Sequence, residues 1–349
     1  MGIKNTIKQK IMHRVMKKRK NNTPFDEIAS ELYELPEDAA NDMNNSYYFS
    51  AHNMDGTAIF FRFGKRSGGK NAMAEVWFAL RLPDGTAYVN SQRLLKLSES
   101  TAHVKCITPL KEWEFSFSGK MYPVKPDGNL IAQPCGSEFD AKFTGIFTSN
   151  SALYEFSRDS EIKPFCRAIA AEKWAKGFAD QLKHAHQIHI EQDGFIKGVF
   201  NIGEKIHKID APAIRDHSFG RRVWSYMNCH KWLIAILEDG STLNANSVRY
   251  PALNVEGLKT GYKMFGKKII NVIDWIFSGD KKNSKYTVTY SDKTTDECAF
   301  SLDIMFEFEF TDEHGSYTIY EGLSAFTING KKGRGITEFG YNGDSLRYK

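Results

Sequence analysis

APAIRDHSFGRRVWSYMNCHKW, residues Ala211–Trp232, packs Arg215, Asp216, His217, Arg221, Arg222, Trp224 and Trp232 into one short segment between strand-like runs. Charged and ring-bearing groups this dense are costly to bury unless each has a partner. They either pin a structure or line a site. If residues 214–219 form a plain strand, Asp216 and Ser218 face one way, and Arg215, His217 and Phe219 face the other. Asp216 and His217 then cannot act on one substrate. Pro212 and Gly220 bracket the segment, so a bend or bulge that brings the two together is the competing reading.

Strand signals dominate on both sides of this segment. SYYFSAH, GTAIFFRFG, AEVWFALRL, TAYVN, EWEFSFSG and DAKFTGIF mix alternating and continuous apolar runs. Turn pairs such as Asp55-Gly56 and Asp84-Gly85 separate them. The pattern breaks near residue 160. IKPFCRAIAAEKWAKGFADQLKHAH spaces Ile169, Ala170, Trp174 and Phe178 at helical intervals, which predicts a helix linking two halves. Strands resume at QIHIEQDGFIKGVFNIG and continue to the end. LPDGTAYVN in the first half echoes LEDGSTLNA in the second, as two β domains of related plan would. The predicted class is all-β: a leader (1–25), an N-terminal β domain (26–160), a connecting helix (161–187) and a C-terminal β domain (188–349), each domain a barrel or sandwich.

Composition narrows the function. The 349 residues are 41% apolar and 13% aromatic, with 25 Phe and 15 Tyr, enough for two real cores or for an apolar cavity. Five scattered cysteines with no CxxC pair argue against a disulfide framework or zinc cluster and for buried thiols in a reducing compartment. No metal or cofactor is expected. No apolar run approaches the roughly 20 residues that span a bilayer, and no signal peptide is evident, so a cytoplasmic location is expected. Of the net charge of +5, residues 1–20 supply eight positive charges and no acid, leaving the body at −3. The basicity belongs to a tail, not to a groove for nucleic acid. That tail places Ile3, Ile7, Ile11 and Val15 four apart among lysines, and MGIKNT fits the myristoylation pattern. Residues 1–20 are therefore a candidate for peripheral membrane contact.

Three motifs invite chemistry. GKRSGGK (Gly64–Lys70) nearly spells a P-loop, but Asn71 replaces the magnesium-holding hydroxyl and a strand follows in place of a helix, so it reads as a hairpin turn. His184, His186 and His189 lack an obvious fourth ligand and are expected to be structural or solvent-facing. In QIHIEQDG, His189 and Glu191 share one strand face; they meet solvent if the other face is core, or a ligand if the strand wraps a cavity. Late in the chain, Glu338 carries the charge to meet one of the arginines at 215, 221 or 222.

IHIEQDGFIKGVFNIG followed by RDHSFGRRVWS, with the late GLSAFTINGKKGRGITEFGYN and the early YYFSAHNMDGTAIFFRFGKRSGGKNAMAEVWFALRLPDGTAYV, resembles a known superfamily. It is that of two-domain, lipocalin-like proteins related to carotenoid 1,2-hydratase (hydroxyneurosporene synthase) and to AttH-type proteins. The resemblance covers about residues 45–345. It implies two consecutive lipocalin-like domains and a pocket for an apolar molecule. Members of the superfamily hydrate polyenes, catalyse Diels–Alder-type cyclisations or bind lipids. Asp216 and His217 match the Asp–His pair of the hydratases' D-H-N-W-G-like motif, while Ser218 replaces its Asn and Phe219 its Trp. Carried over, Asp216 is the acid, His217 its partner, and Trp224 or Tyr226 stabilises a cation. His189, Glu191, Arg215, Arg222 and Glu338 complete the expected ligand-binding set. The leading expectation is binding of a lipid, terpenoid or polyketide-like molecule in a barrel pocket. The alternative is a cofactor-independent hydratase, isomerase or cyclase acting on such a molecule.

Overall fold

The computed structural model describes residues 3–22, 25–66, 72–183, 187–312 and 315–343. Met1 and Gly2 of the acylation-like pattern, Ser67–Asn71 of the P-loop-like turn, and His184 and His186 lie outside the described residues.

Eight antiparallel strands close a first barrel. They are β1 (Met43–His52), β2 (Ala58–Arg66), β3 (Met73–Arg81), β4 (Ala87–Asn90), β5 (Glu112–Pro126), β6 (Phe139–Thr148), β7 (Ile188–Ile202) and β8 (Lys205–Arg221). Each pairs with the next, and β8 returns to β1. A second closed barrel follows in the same up-and-down order: β9 (Cys229–Leu237), β10 (Thr242–Tyr250), β11 (Leu253–Phe265), β12 (Lys268–Gly279), β13 (Asn283–Tyr290), β14 (Thr295–Asp312), β15 (Gly315–Ile328) and β16 (Lys331–Asn342). The all-β, two-domain prediction matches this architecture.

The expected boundary does not divide the two barrels. Residues 188–221, which the sequence pattern places in the second domain, supply the last two strands of the first. Their hydrogen bonds run to β6 and β1. The helical stretch is an excursion between β6 and β7, not a connector. It breaks into α3 (Phe156–Asp159), α4 (Ile162–Ala171) and α5 (Phe178–Lys183), after the N-terminal α1 (Ile3–Asn22) and α2 (Glu27–Glu31). The predicted single helix stops at Ala171, where Glu172 turns to extended backbone and other donors satisfy the last carbonyls. Trp174 Nε1 donates to Ile169 O at 2.8 Å, and Lys8 Nζ to Glu172 O at 2.6 Å. The true connector is Arg222–Asn228, which lies within the segment quoted first.

The continuous apolar runs have a simple cause: both faces of those strands are buried. Inward, Phe49, Phe61, Phe78, Phe115 and Phe143 fill the first barrel. Outward, Phe60 and Trp77 meet Trp232, Phe306, Phe308 and Ile319 of the second barrel. Trp77 stacks on Phe308 with centroids 4.1 Å apart, a contact of a kind that adds about 0.5–1.5 kcal/mol beyond area burial. The second barrel has its own interior, around Leu233, Trp275, Tyr286, Phe300 and Phe339.

The LPDGT and LEDGS echo is shared turn chemistry at non-equivalent places. The first joins β3 to β4, and the second β9 to β10. In both, the leucine N–H bonds to the hydroxyl residue's carbonyl at 2.8 Å, and Gly85 and Gly240 adopt φ of +87° and +79°.

The leader forms the predicted helix and docks on α4. Met12 packs toward Ala168, Ile169 and Leu253, while Ile7, Ile11 and Val15 remain exposed. No helix among the described residues is long and apolar enough to cross a membrane.

One buried ion pair ties α2 into the first barrel. Arg215 points inward from β8 and donates to Glu31 Oε1 at 2.7 Å, with both side chains at most 1% exposed. Glu31 Oε2 also accepts from Leu110 N and Trp113 Nε1, each at 3.1 Å. Arg215→Ala leaves Glu31 buried without its cation. We expect a loss of about 3–5 kcal/mol, read as a lowered denaturant midpoint, whereas Arg221→Ala, on the exposed pair with Asp42, should cost under about 1 kcal/mol.

Candidate functional site

A cavity of about 460 Å³ lies between the barrels rather than inside either. One wall is the outer face of the first barrel. Strand register aligns Glu191, Asp216, Tyr48, Arg62 and Trp77 side by side across β7, β8, β1, β2 and β3. Two residues along, the same strands align His189, Ser218, Ser46 and Gly64. The facing wall is the outer face of the second barrel, with His230 and Trp232 from β9, Asn246 from β10 and Glu338 from β16. The connector closes one side with Arg222, Trp224 and Tyr226.

β8 runs in unbroken register with both neighbours through residues 213–219, so the plain-strand reading holds and no bulge intervenes. Asp216 and Ser218 face the cavity. Arg215 and His217 face the first barrel's interior. The expected partnership of His217 with Asp216 is thereby overturned. His217 is fully buried, stacks on Tyr47 at 4.3 Å and donates through Nε2 to Asn45 Oδ1 at 2.8 Å. Burial, then the charge of Arg215, holds its imidazole well below the usual range, so it is neutral. Arg215 is likewise no ligand contact, because it points into the first barrel, where its Nη2 donates to Glu31 and Gln192.

The partner of Asp216 is His189, brought beside it by the pairing of β7 with β8. His189 Nε2 forms a close ion pair with Asp216 Oδ2 and lies 3.3 Å from Glu191 Oε1. Glu191 is wholly buried, and protein donors replace its water: Trp232 Nε1 at 3.0 Å, Asn244 Nδ2 at 2.7 Å and Tyr262 OH at 2.6 Å. Burial alone would neutralise the His189 imidazole. The charge and hydrogen bonding of Asp216, then of Glu191, outweigh it and raise His189 to about 10. The charged imidazolium is therefore favoured at neutral pH, with both carboxylates at its Nε2 and Phe156 against its ring at 4.5 Å.

His189, Glu191 and Asp216 also offer three possible metal-ligand atoms within 4.8 Å of one another. Both Glu191 oxygens already accept from neutral donors, and the imidazolium supplies the balancing charge. An ion pair accounts for the cluster without a metal.

The remaining predicted residues divide. Arg222 donates to Gln187 Oε1 at 2.6 and 3.0 Å and to Ser218 Oγ at 3.1 Å, and lies over the Trp224 ring at 4.8 Å. Tyr226 stacks on Tyr250. Glu338 lines the cavity, but its partner is His230, not an arginine of the opening segment. The cavity is also lined by Tyr48, Arg62, His230 and Trp232, which the sequence reading does not name as site residues. Their available signal was a polar group within a strand run otherwise apolar on both faces, as with Arg62 in AIFFRFG.

No curated protein sequence matches the chain. Solved structures do. The fold is similar to that of a putative AttH from Nitrosomonas europaea, at 16% identity and TM-score 0.52, covering 88% of this chain and 96% of that one. It is similar to kievitone hydratase from Nectria haematococca, at 10% identity and TM-score 0.53, covering 92% and 96%. It is also similar to CghA with Sch210972, at 10% identity and TM-score 0.50, covering 88% and 93%. At these identities the likeness is one of fold, and it agrees with the two-domain, lipocalin-like architecture that the sequence resembles. A family model described as a domain of unknown function, DUF7064, matches residues 28–342, and the chain belongs to that family.

Proposed function

We propose that the protein binds an apolar, ring-bearing small molecule between its barrels and carries out cofactor-independent acid–base chemistry on it: hydration, isomerisation or cyclisation. The observation that carries this reading is the Asp216–His189 ion pair in the cavity wall. A carrier needs only apolar walls. An ion pair there costs desolvation, and a buried Glu191 with three dedicated donors orients it. His189, held protonated, donates a hydrogen bond to a bound oxygen, as an oxyanion-hole donor does. Asp216, its carboxylate at the cavity, accepts a proton. Trp77, Trp224 and Trp232 present ring surface to the same space, which suits an apolar skeleton or a developing cation. That one structural neighbour is a hydratase and another was solved with Sch210972 supports the reading.

The test is mass spectrometry of organic-solvent extracts from purified wild type and Asp216→Asn. Catalysis predicts a compound in wild type that is an isomer or hydrate of the compound held by the variant. The same unchanged compound in both would reject catalysis and leave a carrier.

A second expectation concerns pH. The folded state keeps the His189 proton up to about 10, against 6.5 for an ordinary imidazole. The stability this contributes is fully present below pH 6.5 and is lost as pH rises through about 10. Thermal unfolding across that interval should fall more steeply for wild type than for His189→Gln. Parallel curves would show that the imidazolium is not held.

A further inference from the structure

A second group of ionisable side chains reaches the same cavity through Tyr48, His230 and Glu338, which line it, and has no part in the chemistry above. Glu321 on β15 and Glu338 on β16 are direct cross-strand partners on the outer face of the second barrel. Glu321 is fully buried, and the Glu338 side chain is only 13% exposed. Tyr48 OH reaches across from the first barrel to donate to Glu321 Oε1. Glu321 Oε2 is buried with no protein donor. On the other side, His230 Nε2 pairs with Glu338 Oε1, and His230 Nδ1 meets Tyr317 OH at 2.6 Å. Arg62, a further cation near both carboxyls, is held by Glu75 at 2.9 Å.

Two adjoining buried carboxyls repel when both are charged, and the nearby cations are already engaged, His230 by Glu338 and Arg62 by Glu75. A proton on Glu321 Oε2, directed at Glu338, satisfies the one orphaned oxygen and removes the repulsion. The electrostatics agree. Burial, then the neighbouring Glu338 charge, holds the Glu321 carboxyl well above the usual range. Burial also acts to raise Glu338, but the charge and hydrogen bond of His230, with the hydrogen bond from Glu321, bring it below the usual range.

We infer that Glu321 and Glu338 share one proton and form a second acid–base centre of the pocket, on the wall opposite Asp216 and His189, with Glu338 as the member that meets the bound molecule. This deepens the proposed reading and rests on it. In a hydration of a carbon–carbon double bond, Glu338 takes the shared proton from Glu321 and delivers it to carbon, where it forms a new C–H bond with the π electrons. Water forms the C–O bond at the other carbon, and its surplus proton passes to Asp216. Asp216 then returns that proton to the pair through solvent, so one water is consumed and the protein is unchanged. Tyr48 sits between the centres, beside Asp216 in register and bonded to Glu321.

Infrared spectroscopy of the full-length protein, with 13C-carboxyl-labelled glutamate and H/D exchange, reads the shared proton without any ligand. Wild type at pH 7 should show a protonated glutamate C=O band. Glu321→Gln, whose amide still donates to Glu338, should remove the band, and Asp216→Asn should keep it. No such band in wild type, or one that survives Glu321→Gln, overturns the proposal. The precursor isolated from Asp216→Asn serves as the probe for the catalytic half. Glu338→Gln should convert it about 10²-fold or more slowly than wild type. Conversion at the wild-type rate overturns the catalytic role. If wild type and Asp216→Asn yield the same compound while the band is present, the reading of the protein as an enzyme fails and with it the catalytic role, but the shared proton stands.

Discussion

The side-chain alternation of β8 is the constraint on which the rest of the molecule depends. This strand is hydrogen-bonded along both edges, to β7 and to β1, so its register cannot drift. A slip of one residue would turn Arg215 and His217 into the cavity and bury Asp216 and Ser218 inside the barrel. The inward set closes the first barrel and receives α2 through Glu31. The outward set makes the wall of a site. Because neither face meets open solvent, each residue from 213 to 219 has one tolerable orientation.

The electrostatics of the cavity follow from how its charges are solvated. Glu191 is anionic in a dry place because Trp232, Asn244 and Tyr262 stand in for water. All three donors point outward from the second barrel, Tyr262 as the cross-strand partner of Asn244, while Glu191 belongs to the first. The hydrogen bonds that stabilise the charge therefore also bind the barrels together. On the opposite wall, Tyr48 reaches from the first barrel to Glu321 of the second. Polar contacts thus cross the interface in both directions, inside an apolar surround of Trp77, Phe308 and Phe310.

Fold class was legible because the strands announce themselves locally, by alternation and by Asp-Gly turns. The domain boundary was not. The helical stretch after residue 160 looks like a divider, yet nothing local to it says that β7 will pair back to β6 across some forty residues. Within the site, strand alternation separates Asp216 from His217, whereas the resemblance to the hydratase motif pairs them. Strand geometry favours the former. His189 and Glu191 were seen to share a face, but their meeting with Asp216 depends on the register of a hairpin that charge patterns do not encode. For the same reason Glu338 was matched to arginines, when its neighbours are set by β15 and β9.

Each barrel completes its own hydrogen-bond ring, and residues 222–228 are the one covalent link between them. The pocket is therefore an interface within a single chain, much as an active site between two subunits is an interface between chains. A small rotation of one barrel on the other would widen or narrow it with both rings intact, straining only the bridge of Ile131 to Met305 among the backbone pairings described between them. Its shape is set by how Trp77 seats on Phe308 and Trp224 on Phe310, and so by side-chain packing rather than by the sheets. Such a site can be resized by exchanging a few interfacial rings while both scaffolds stay intact.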